Sequence, residues 1–311
     1  MTFFIKRGQD MTWRNVMIKD GDYLRLKLDN LEIEKQNQKF TIPLSDIATI
    51  TLEGDKMALT TKLLAKFAHH NIALIICDNK YLPCGIFQSV GQYHRTAKRS
   101  LEQLNWSEDQ KQEIWSKIVI QKITNQRAVM ILKNSESERI EKLDELLKNV
   151  ELGDKTNREG HAAKVYFNSL YGMGFTRENN QMENYAMDYG YTIIRAYIAR
   201  LVAGSGLIST LGIFHRNEYN SFNLIDDLME PFRPLMDYYI LDKIIPNYKE
   251  YLSWEARCVL IDFVNQPYLL NGKKTTIDLA MQNYVQSFIK AMNGENTEFL
   301  IEITLEGMRG V

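Results

Sequence analysis

Two acidic residues and one histidine in the second half of the chain could hold a divalent cation. Glu159, His215 and Glu230 together supply two carboxylates and an imidazole. A mixed oxygen and nitrogen set of this kind suits Mg²⁺ or Mn²⁺. Such an ion polarises phosphoryl oxygens and activates a hydroxyl that attacks a phosphodiester. The three residues therefore indicate metal-dependent chemistry on a nucleic acid.

Two of these residues also have structural explanations that involve no metal. His215 follows the apolar run 211–214. A histidine in that setting is more often a hydrogen-bonded core residue than a ligand. Glu159 falls near a predicted helix start, where a carboxylate is favourable for its charge alone. Each residue is weak evidence by itself, and the hypothesis depends on their occurring together.

The third residue, Glu230, belongs to an acidic helical turn. Asp226 and Asp227 precede it by four and three residues, so both share a helix face with it. Like charges at this spacing repel one another unless a cation lies among them. Arg233 is a candidate for that cation, or for a residue that binds phosphate beside a metal. The alternative is a solvated acidic turn.

The elements that would position these residues are helices in the second part of the chain. Apolar residues at helical spacing predict helices over 107–133, 135–150, 158–171, 183–203, 223–244 and 278–292. Asn271-Gly272 favours a hairpin turn between short strands near 268–277. Core positions in the first of these helices are expected at Ile114, Trp115, Ile118, Val119, Ile123, Met130 and Ile131.

The first part of the chain is rich in predicted strands. Apolar patterns predict strands from 13 to about 90, with one amphipathic helix over 60–70, and a compact sheet with this helix is the simplest assembly. The fold class is thus α+β: a small N-terminal β-rich domain, residues 1–90, followed by a larger, mainly α-helical catalytic domain, residues 91–311. Residues 1–10 precede a second methionine, Met11, and the sequence leaves open which methionine is the natural start.

The composition is that of a globular protein and argues against a strongly basic DNA-coating domain. Of the 311 residues, 45% are hydrophobic and 25% are charged, and the formal net charge is −1. The stretch 92–133 is nevertheless cationic, with eight basic residues against four acidic ones. These basic residues are Arg95, Lys98, Arg99, Lys111, Lys117, Lys122, Arg127 and Lys133. We favour a solvated helix face for them, with a phosphate track as the alternative.

Cysteine usage and hydrophobicity predict a cytoplasmic protein. Cys77, Cys84 and Cys258 are too few and too scattered for a disulfide framework. We expect Cys77 and Cys84 to be buried as small apolar residues in a reducing compartment. No apolar run approaches the ~18 residues of a membrane-spanning helix, so no membrane contact is expected.

Several motifs in the second part of the chain occur in a distinctive order. They are Glu159-Gly160-x-x-Ala163-Lys164-x-Tyr166-Phe167, Asp188-Tyr189-Gly190-Tyr191, His215 and Asp227-Leu228-Met229-Glu230-Pro231-Phe232-Arg233-Pro234. In this order they resemble the CRISPR-associated integrase family, Cas1. Its members from type II systems are the ones most similar to Asn157-Arg158-Glu159-Gly160-His161-Ala162-Ala163 and Asn220-x-Phe222-Asn223-Leu224. The resemblance extends from Met11 to about residue 292, and residues 299–311 have no clear counterpart. Asp188 stands where the family often has Asn, and Glu218 where some members have Lys.

The resemblance implies roles for six residues. Glu159, His215 and Glu230 fall on the catalytic metal-ligand positions, for Mg²⁺ or Mn²⁺. Asp227 falls on an acidic position that supports the site. Arg233 falls on a basic position after the last ligand, and Arg233 and Lys164 are candidates to hold DNA phosphates.

The implied reaction is a transesterification that inserts prespacer DNA into the CRISPR repeat array. A prespacer 3′-hydroxyl attacks a phosphodiester at a repeat boundary, and no covalent protein nucleophile is required. The implied partners are double-stranded DNA, a second copy joined through the β-rich domain, and a dimer of the small protein Cas2 in a 4:2 complex. Contacts with other type II adaptation proteins are left open. The alternatives are a stand-alone metal-dependent DNA endonuclease and a non-catalytic DNA-binding scaffold.

Overall fold

The computed structural model describes residues 3–6, 14–19, 23–35, 38–54, 56–90, 93–248, 251–294 and 296–310. The first elements are β1 (Phe3–Lys6), β2 (Arg14–Lys19), β3 (Tyr23–Lys27), β4 (Asn30–Lys35), β5 (Gln38–Pro43), β6 (Ile47–Glu53), β7 (Ala58–Leu59), α1 (Thr61–His69), β8 (Ala73–Cys77) and β9 (Pro83–Phe87). The helix predicted over 60–70 is confirmed as α1. Met11, Trp13 at the predicted start of the first long strand, and Gly91 at the predicted domain boundary lie outside the described residues.

These strands form two sheets rather than the single sheet expected from the sequence. One sheet has the order β1-β2-β6-β8-β9 and the other the order β5-β4-β3-β7. In the first sheet β2, β6 and β8 run parallel, and parallel neighbours cannot be joined by a tight turn. The connection from β2 to β6 therefore carries the antiparallel strands β3, β4 and β5, which form the core of the second sheet.

The first sheet lies between two apolar cores. Val16 and Ile18 of β2 pack with the second sheet and α1, whereas Met17 between them belongs to the core of the helices. This alternation follows from the two-residue period of a strand. Every residue of β6 is buried, as expected for a central strand covered on both faces.

The second part of the chain is mainly helical, which confirms the α+β fold class. It contains α2 (Thr96–Leu104), α3 (Glu108–Leu132), α4 (Ser137–Lys148), α5 (Arg158–Tyr171), α6 (Met182–Gly204), α7 (Asn223–Met229), α8 (Arg233–Tyr239), α9 (Trp254–Ile261), β10 (Pro267–Leu270), β11 (Lys273–Thr276), α10 (Ile277–Met292) and α11 (Leu305–Arg309). The hairpin and the helices predicted over 107–133, 135–150, 158–171, 183–203 and 278–292 are confirmed. Helices α2, α9 and α11 are additional. The core prediction for α3 is wrong only for Ile131, which is 44% exposed near the end of the helix.

The helix predicted over 223–244 is interrupted. After α7 comes a 3₁₀ turn, Glu230–Phe232, then α8, then a π-helical turn, Ile240–Ile244. Pro231 and Pro234 account for the first interruption, because a proline has no N–H to donate to the preceding turn. The single continuous helix is therefore wrong, and Glu230 lies in a turn.

A buried ion pair joins the first sheet to the helices. Arg257 of α9 donates two hydrogen bonds to the carboxylate of Glu53, at 2.7 and 2.8 Å. Tyr189 of α6 donates to the same carboxylate at 3.1 Å. The division into residues 1–90 and 91–311 follows the change from strands to helices and stays a prediction.

The cysteines differ in exposure. Cys258 is buried and Cys77 half-buried, but Cys84 is exposed, so the expected burial of Cys84 is wrong. Cys84 lies on β9, an edge strand with one side open to solvent. Among the described residues, no helix has the length and apolar character needed to cross a membrane.

Candidate catalytic site

Glu159 is presented by the first turn of α5. Asn157 caps this helix, and its side chain accepts the N–H of Gly160 at 3.3 Å. The carboxylate of Asp154 accepts the N–H groups of Arg158 and Glu159, at 2.8 and 3.0 Å. Asp154 therefore supplies the negative charge that a helix N-terminus favours, and the Glu159 carboxylate is left for other contacts.

A lysine of α3 lies between the two carboxylates of the candidate site. The Lys122 side chain is 8% exposed, and its Nζ is ion-paired with Oε1 of Glu159 and Oε2 of Glu230. These acids belong to α5 and to the turn after α7. One ammonium group thus brings three separate segments of the chain to a common point.

His215 is held by the fully buried Asp227. Nδ1 of His215 lies 2.7 Å from Oδ1 of Asp227. The same carboxylate accepts the N–H groups of Ile213, Phe214 and His215, at 2.7, 3.2 and 3.0 Å. Because Nδ1 is engaged with the carboxylate, Nε2 is the ring nitrogen that can meet a ligand.

The loop 212–215 can close around Asp227 because it begins with a glycine. A Cβ at Gly212 would lie 2.4 Å from the backbone oxygen of His215 and 2.7 Å from Oδ2 of Asp227. Trp115 of α3 stacks on Phe214, with ring centroids 4.2 Å apart. The loop is therefore tied to the same helix that carries Lys122.

Glu230 is fixed from two further directions. Nε of Arg233 lies 3.0 Å from its Oε1, and the Arg233 guanidinium lies 4.7 Å from the ring centre of Tyr191. Asn125 of α3 donates to the backbone oxygen of Pro231 at 3.1 Å. The carboxylate is thus placed by a cation next to it and by a hydrogen bond to the turn that carries it.

Opposite charges in this cluster stabilise one another. Burial opposes the ionisation of Glu230, but the charges of Arg233 and Lys122 outweigh it and lower the pKa of Glu230. Burial likewise opposes the charge of Lys122, but Glu230 and Glu159 raise the pKa of Lys122. The hydrogen bond to Asp227 raises the pKa of His215, with burial acting in the opposite direction.

The donor atoms fit a divalent cation in kind, but a lysine occupies the space between two of them. Carboxylate oxygens and an imidazole nitrogen are ligands that Mg²⁺ and Mn²⁺ accept. Within the part of the chain that the structure describes, no three His, Cys, Asp or Glu side chains are already placed as a metal-ligand cluster. The cation that holds Glu159 and Glu230 here is the ammonium of Lys122.

The family model described as "CRISPR associated protein Cas1" matches residues 16–249. The chain belongs to the Cas1 family. A CRISPR-associated endonuclease Cas1 of Neisseria meningitidis is 42% identical over 227 residues, which cover 73% of this chain and 74% of the relative. A Cas1 of Francisella tularensis subsp. novicida is 25% identical over 300 residues, which cover 88% of this chain and 93% of the relative.

Solved structures share the Cas1 fold of this chain. A casposase bound to its integration product has a TM-score of 0.75 at 18% identity, covering 94% of this chain and 95% of that one. A Cas6-RT-Cas1–Cas2 complex gives 0.76 at 19% identity, covering 97% of this chain and 37% of that one. A Cas1 protein from Thermotoga maritima has a TM-score of 0.76 at 14% identity, covering 90% of this chain and 97% of that one.

In this Cas1 chain, five of the six site residues predicted from the sequence lie in one connected cluster. They are Glu159, His215, Asp227, Glu230 and Arg233. His215 belongs to it through Asp227, which precedes Glu230 by about one helical turn on α7. Lys164 lies elsewhere, on the exposed side of α5, where it lines a cavity of about 730 Å³ beside α4. The predicted roles of all six residues remain predictions.

The acidic turn is not solvated. The exposed fractions of Asp226, Asp227 and Glu230 are 7%, 0% and 5%, so the alternative of a solvated turn is wrong. Each acid has its own cationic or imidazole partner. These partners are Arg195 for Asp226, His215 for Asp227, and Arg233 with Lys122 for Glu230.

The expectation for Lys122 is also wrong. A solvated helix face is expected for the basic residues of 92–133, yet Lys122 is buried. Its position carried a signal, because Ile118 and Val119 precede it by four and three residues and both are core residues. A lysine on the apolar side of a helix requires a buried partner, and the two predicted acidic ligands provide one.

Proposed function

We propose that this protein is the integrase of CRISPR adaptation, which joins prespacer DNA to the repeat array by metal-dependent transesterification. The observation that carries the proposal is the convergence of Glu159 and Glu230 on one cation position, in the cluster that also contains His215. Membership of the Cas1 family and the likeness to relatives named endonucleases support it.

The residues have distinct roles in this proposal. Glu159, Glu230 and Nε2 of His215 would hold Mg²⁺ or Mn²⁺, which when bound polarises the scissile phosphate and activates the 3′-hydroxyl. Asp227 orients His215 by accepting from Nδ1, which leaves Nε2 without a proton in the neutral ring. Arg233 holds Glu230 and places positive charge where a phosphate of the DNA can meet it.

The reaction conserves the number of phosphodiester bonds. The prespacer 3′-oxygen forms a new bond to phosphorus, and the bond from that phosphorus to the repeat 3′-oxygen breaks. The leaving oxygen takes up a proton, and the attacking hydroxyl loses one. No covalent enzyme intermediate is needed, so the buried tyrosines near the site have no nucleophilic part in the proposal.

The proposed partners are prespacer and repeat DNA, a second copy of the chain, and a Cas2 dimer in a 4:2 complex. Two similar structures, a casposase with its integration product and a complex that contains Cas2, are compatible with these partners. Lys164 is proposed to contact DNA phosphates away from the metal, because it is exposed on the other side of α5.

An assay with two DNAs separates this function from its alternatives. Purified protein and Cas2 are incubated with Mn²⁺, a labelled prespacer duplex and a supercoiled plasmid that carries repeats. An integrase transfers the label to the plasmid, and a prespacer that ends in a 3′-dideoxynucleotide does not react. Plasmid cleavage without label transfer indicates an endonuclease, and the absence of both indicates a scaffold.

A further inference from the structure

Lys122 occupies the position of a bound cation in the candidate site. Its side chain is buried, and its Nζ contacts one oxygen of Glu159 and one of Glu230. Arg233 adds a second positive charge at Glu230. The formal charges of these four residues cancel, so the site is electrically balanced without any bound ion.

A divalent ion between the carboxylates is incompatible with Lys122 in its present place. The ion would need the oxygens that the ammonium now contacts. Two cations at such a short separation also repel each other strongly in a buried site. Arg233 is held against Tyr191 and does not contact Glu159 in the structure. Of the two cations, Lys122 has the more flexible side chain, since its ammonium is a point charge on a four-carbon stem.

We propose that Lys122 is a resident counter-ion which holds the two carboxylates together in the metal-free protein and must leave them when a divalent ion binds. This inference rests on the proposed function. It assigns the metal-free protein a weak affinity for the ion. A DNA phosphate is the anion to which the displaced ammonium moves, so bound DNA strengthens metal binding and bound metal strengthens DNA binding by the same factor.

The inference is tested by titrating Mn²⁺ into the full chain without DNA, with free Mn²⁺ followed by electron paramagnetic resonance. Lys122→Met and Lys122→Gln remove the charge, and Lys122→Arg keeps it. Lys117→Met is the matched control, because Lys117 also lies on α3 and pairs with Glu113 and Glu298 at the surface. The two neutral variants are expected to bind Mn²⁺ about tenfold more tightly than the wild type, a usual size for coupling between sites.

The same titration is repeated with a prespacer duplex that ends in 3′-dideoxynucleotides. DNA is expected to raise the Mn²⁺ affinity of the wild type and of Lys117→Met by more than that of Lys122→Met, because only the first two have an ammonium to move from the carboxylates to a phosphate. Neutral variants that bind Mn²⁺ no more tightly than the wild type overturn the proposal. An equal gain from DNA in all proteins also overturns it.

Thermal unfolding gives a second measurement that does not depend on activity. Without metal, Lys122→Met is expected to melt at a lower temperature than the wild type. Mn²⁺ should raise the melting temperature of Lys122→Met by more than it raises that of the wild type. If the neutral variants do not fold without metal, Mn²⁺ must restore their circular dichroism, and failure of this rescue contradicts the proposal. If no protein binds Mn²⁺ even with DNA present, the proposed metal chemistry itself fails. If all bind it equally, only the role of Lys122 fails.

Discussion

At the scale of single residues, buried charges determine what the site can do. Asp227 is the clearest case, because one carboxylate holds three backbone N–H groups and the imidazole of His215. Asp237 is a second buried carboxylate, and it accepts hydrogen bonds from Tyr166 and Tyr191. The two acids differ in their contacts, since of the two only Asp227 contacts a proposed metal ligand.

Asp227→Asn is expected to impair joining more than folding. The amide places an NH₂ group opposite groups that donate to Asp227, namely backbone N–H groups of 213–215 or the ring of His215. The tautomer of His215 is then no longer selected. Joining should fall about 10- to 100-fold, as is usual for residues that orient metal ligands. The free energy of unfolding should fall by about 1–3 kcal/mol.

Asp278→Asn is the control, because Asp278 is a buried aspartate of α10 that accepts a backbone N–H at 2.7 Å. Equal losses of joining in both variants would count against the orienting role.

Asp237→Asn should change the pH dependence of stability. Burial raises the pKa of Asp237 to about 6, while the bonds from Tyr191 and Tyr166 oppose this. The pKa of an unfolded aspartate is about 3.9. The folded protein therefore holds the proton more tightly, and this stabilisation is full below about pH 4 and lost as the pH rises through about 6.

The variant lacks this proton, so its free energy of unfolding is compared with that of the wild type at pH 4.5 and at pH 7.5. The wild type should lose about 2 kcal/mol relative to the variant across this range. Chemical denaturation at both pH values measures the difference. A difference that does not change with pH would contradict the raised pKa of Asp237.

At the scale of elements, α3 organises the site and the C-terminal segment together. Lys122 faces the acids, while Asn125 donates to Pro231 and to Ile303, and accepts the N–H of Leu305, at 3.1, 2.7 and 2.9 Å. The segment 301–305, for which the sequence offered no counterpart, thus reaches the turn of Glu230 through one side chain of α3.

Asn125→Ala is expected to loosen this arrangement. Three buried backbone groups would lose their partner, which should lower the free energy of unfolding by about 2–4 kcal/mol. Joining should also fall, because the turn that carries Glu230 is no longer held. The control is Asn283→Ala, since Asn283 is exposed and bonds only within its own helix, to Leu279. Loss of stability without loss of joining would show that the turn does not need Asn125.

The sequence predicted elements well where apolar spacing was long and regular, as in α3, α5 and α6. It failed where tertiary contacts decide the outcome. The break at Pro231 was visible in the residue type but not in the periodicity of 223–244. The burial of Lys122 depends on Glu159 and Glu230, which are distant in sequence and meet it only in the fold. Residues 301–305 bond to side chains of α3, and no local pattern reports such contacts.

At the scale of the whole molecule, the first sheet is fastened to the helices by buried polar groups. The pair of Glu53 and Arg257 lies where β6 meets α9. The two sheets could not be predicted from the sequence, because strand patterns report which faces are buried but not which strands pair.

Arg257→Met is expected to lower the free energy of unfolding by about 3–5 kcal/mol, since it leaves the carboxylate of Glu53 buried without its cation. Adding Glu53→Gln should recover part of this loss, and a double-mutant cycle by chemical denaturation measures the coupling. Additive effects of the two substitutions would mean that the pair contributes no coupling energy to the stability of the fold.

The central claim is that Glu159, His215 and Glu230 form one metal site for DNA strand transfer. Its most direct test is the Mn²⁺-dependent transfer of a labelled prespacer to a repeat-bearing plasmid, in the presence of Cas2, by the wild type and by Glu159→Ala, His215→Ala and Glu230→Ala. Each variant is expected to retain its fold by circular dichroism and to lose joining, and chelation of Mn²⁺ should abolish joining by the wild type. Near-normal joining by any of the three folded variants would contradict the claim and remove that residue from the ligand set.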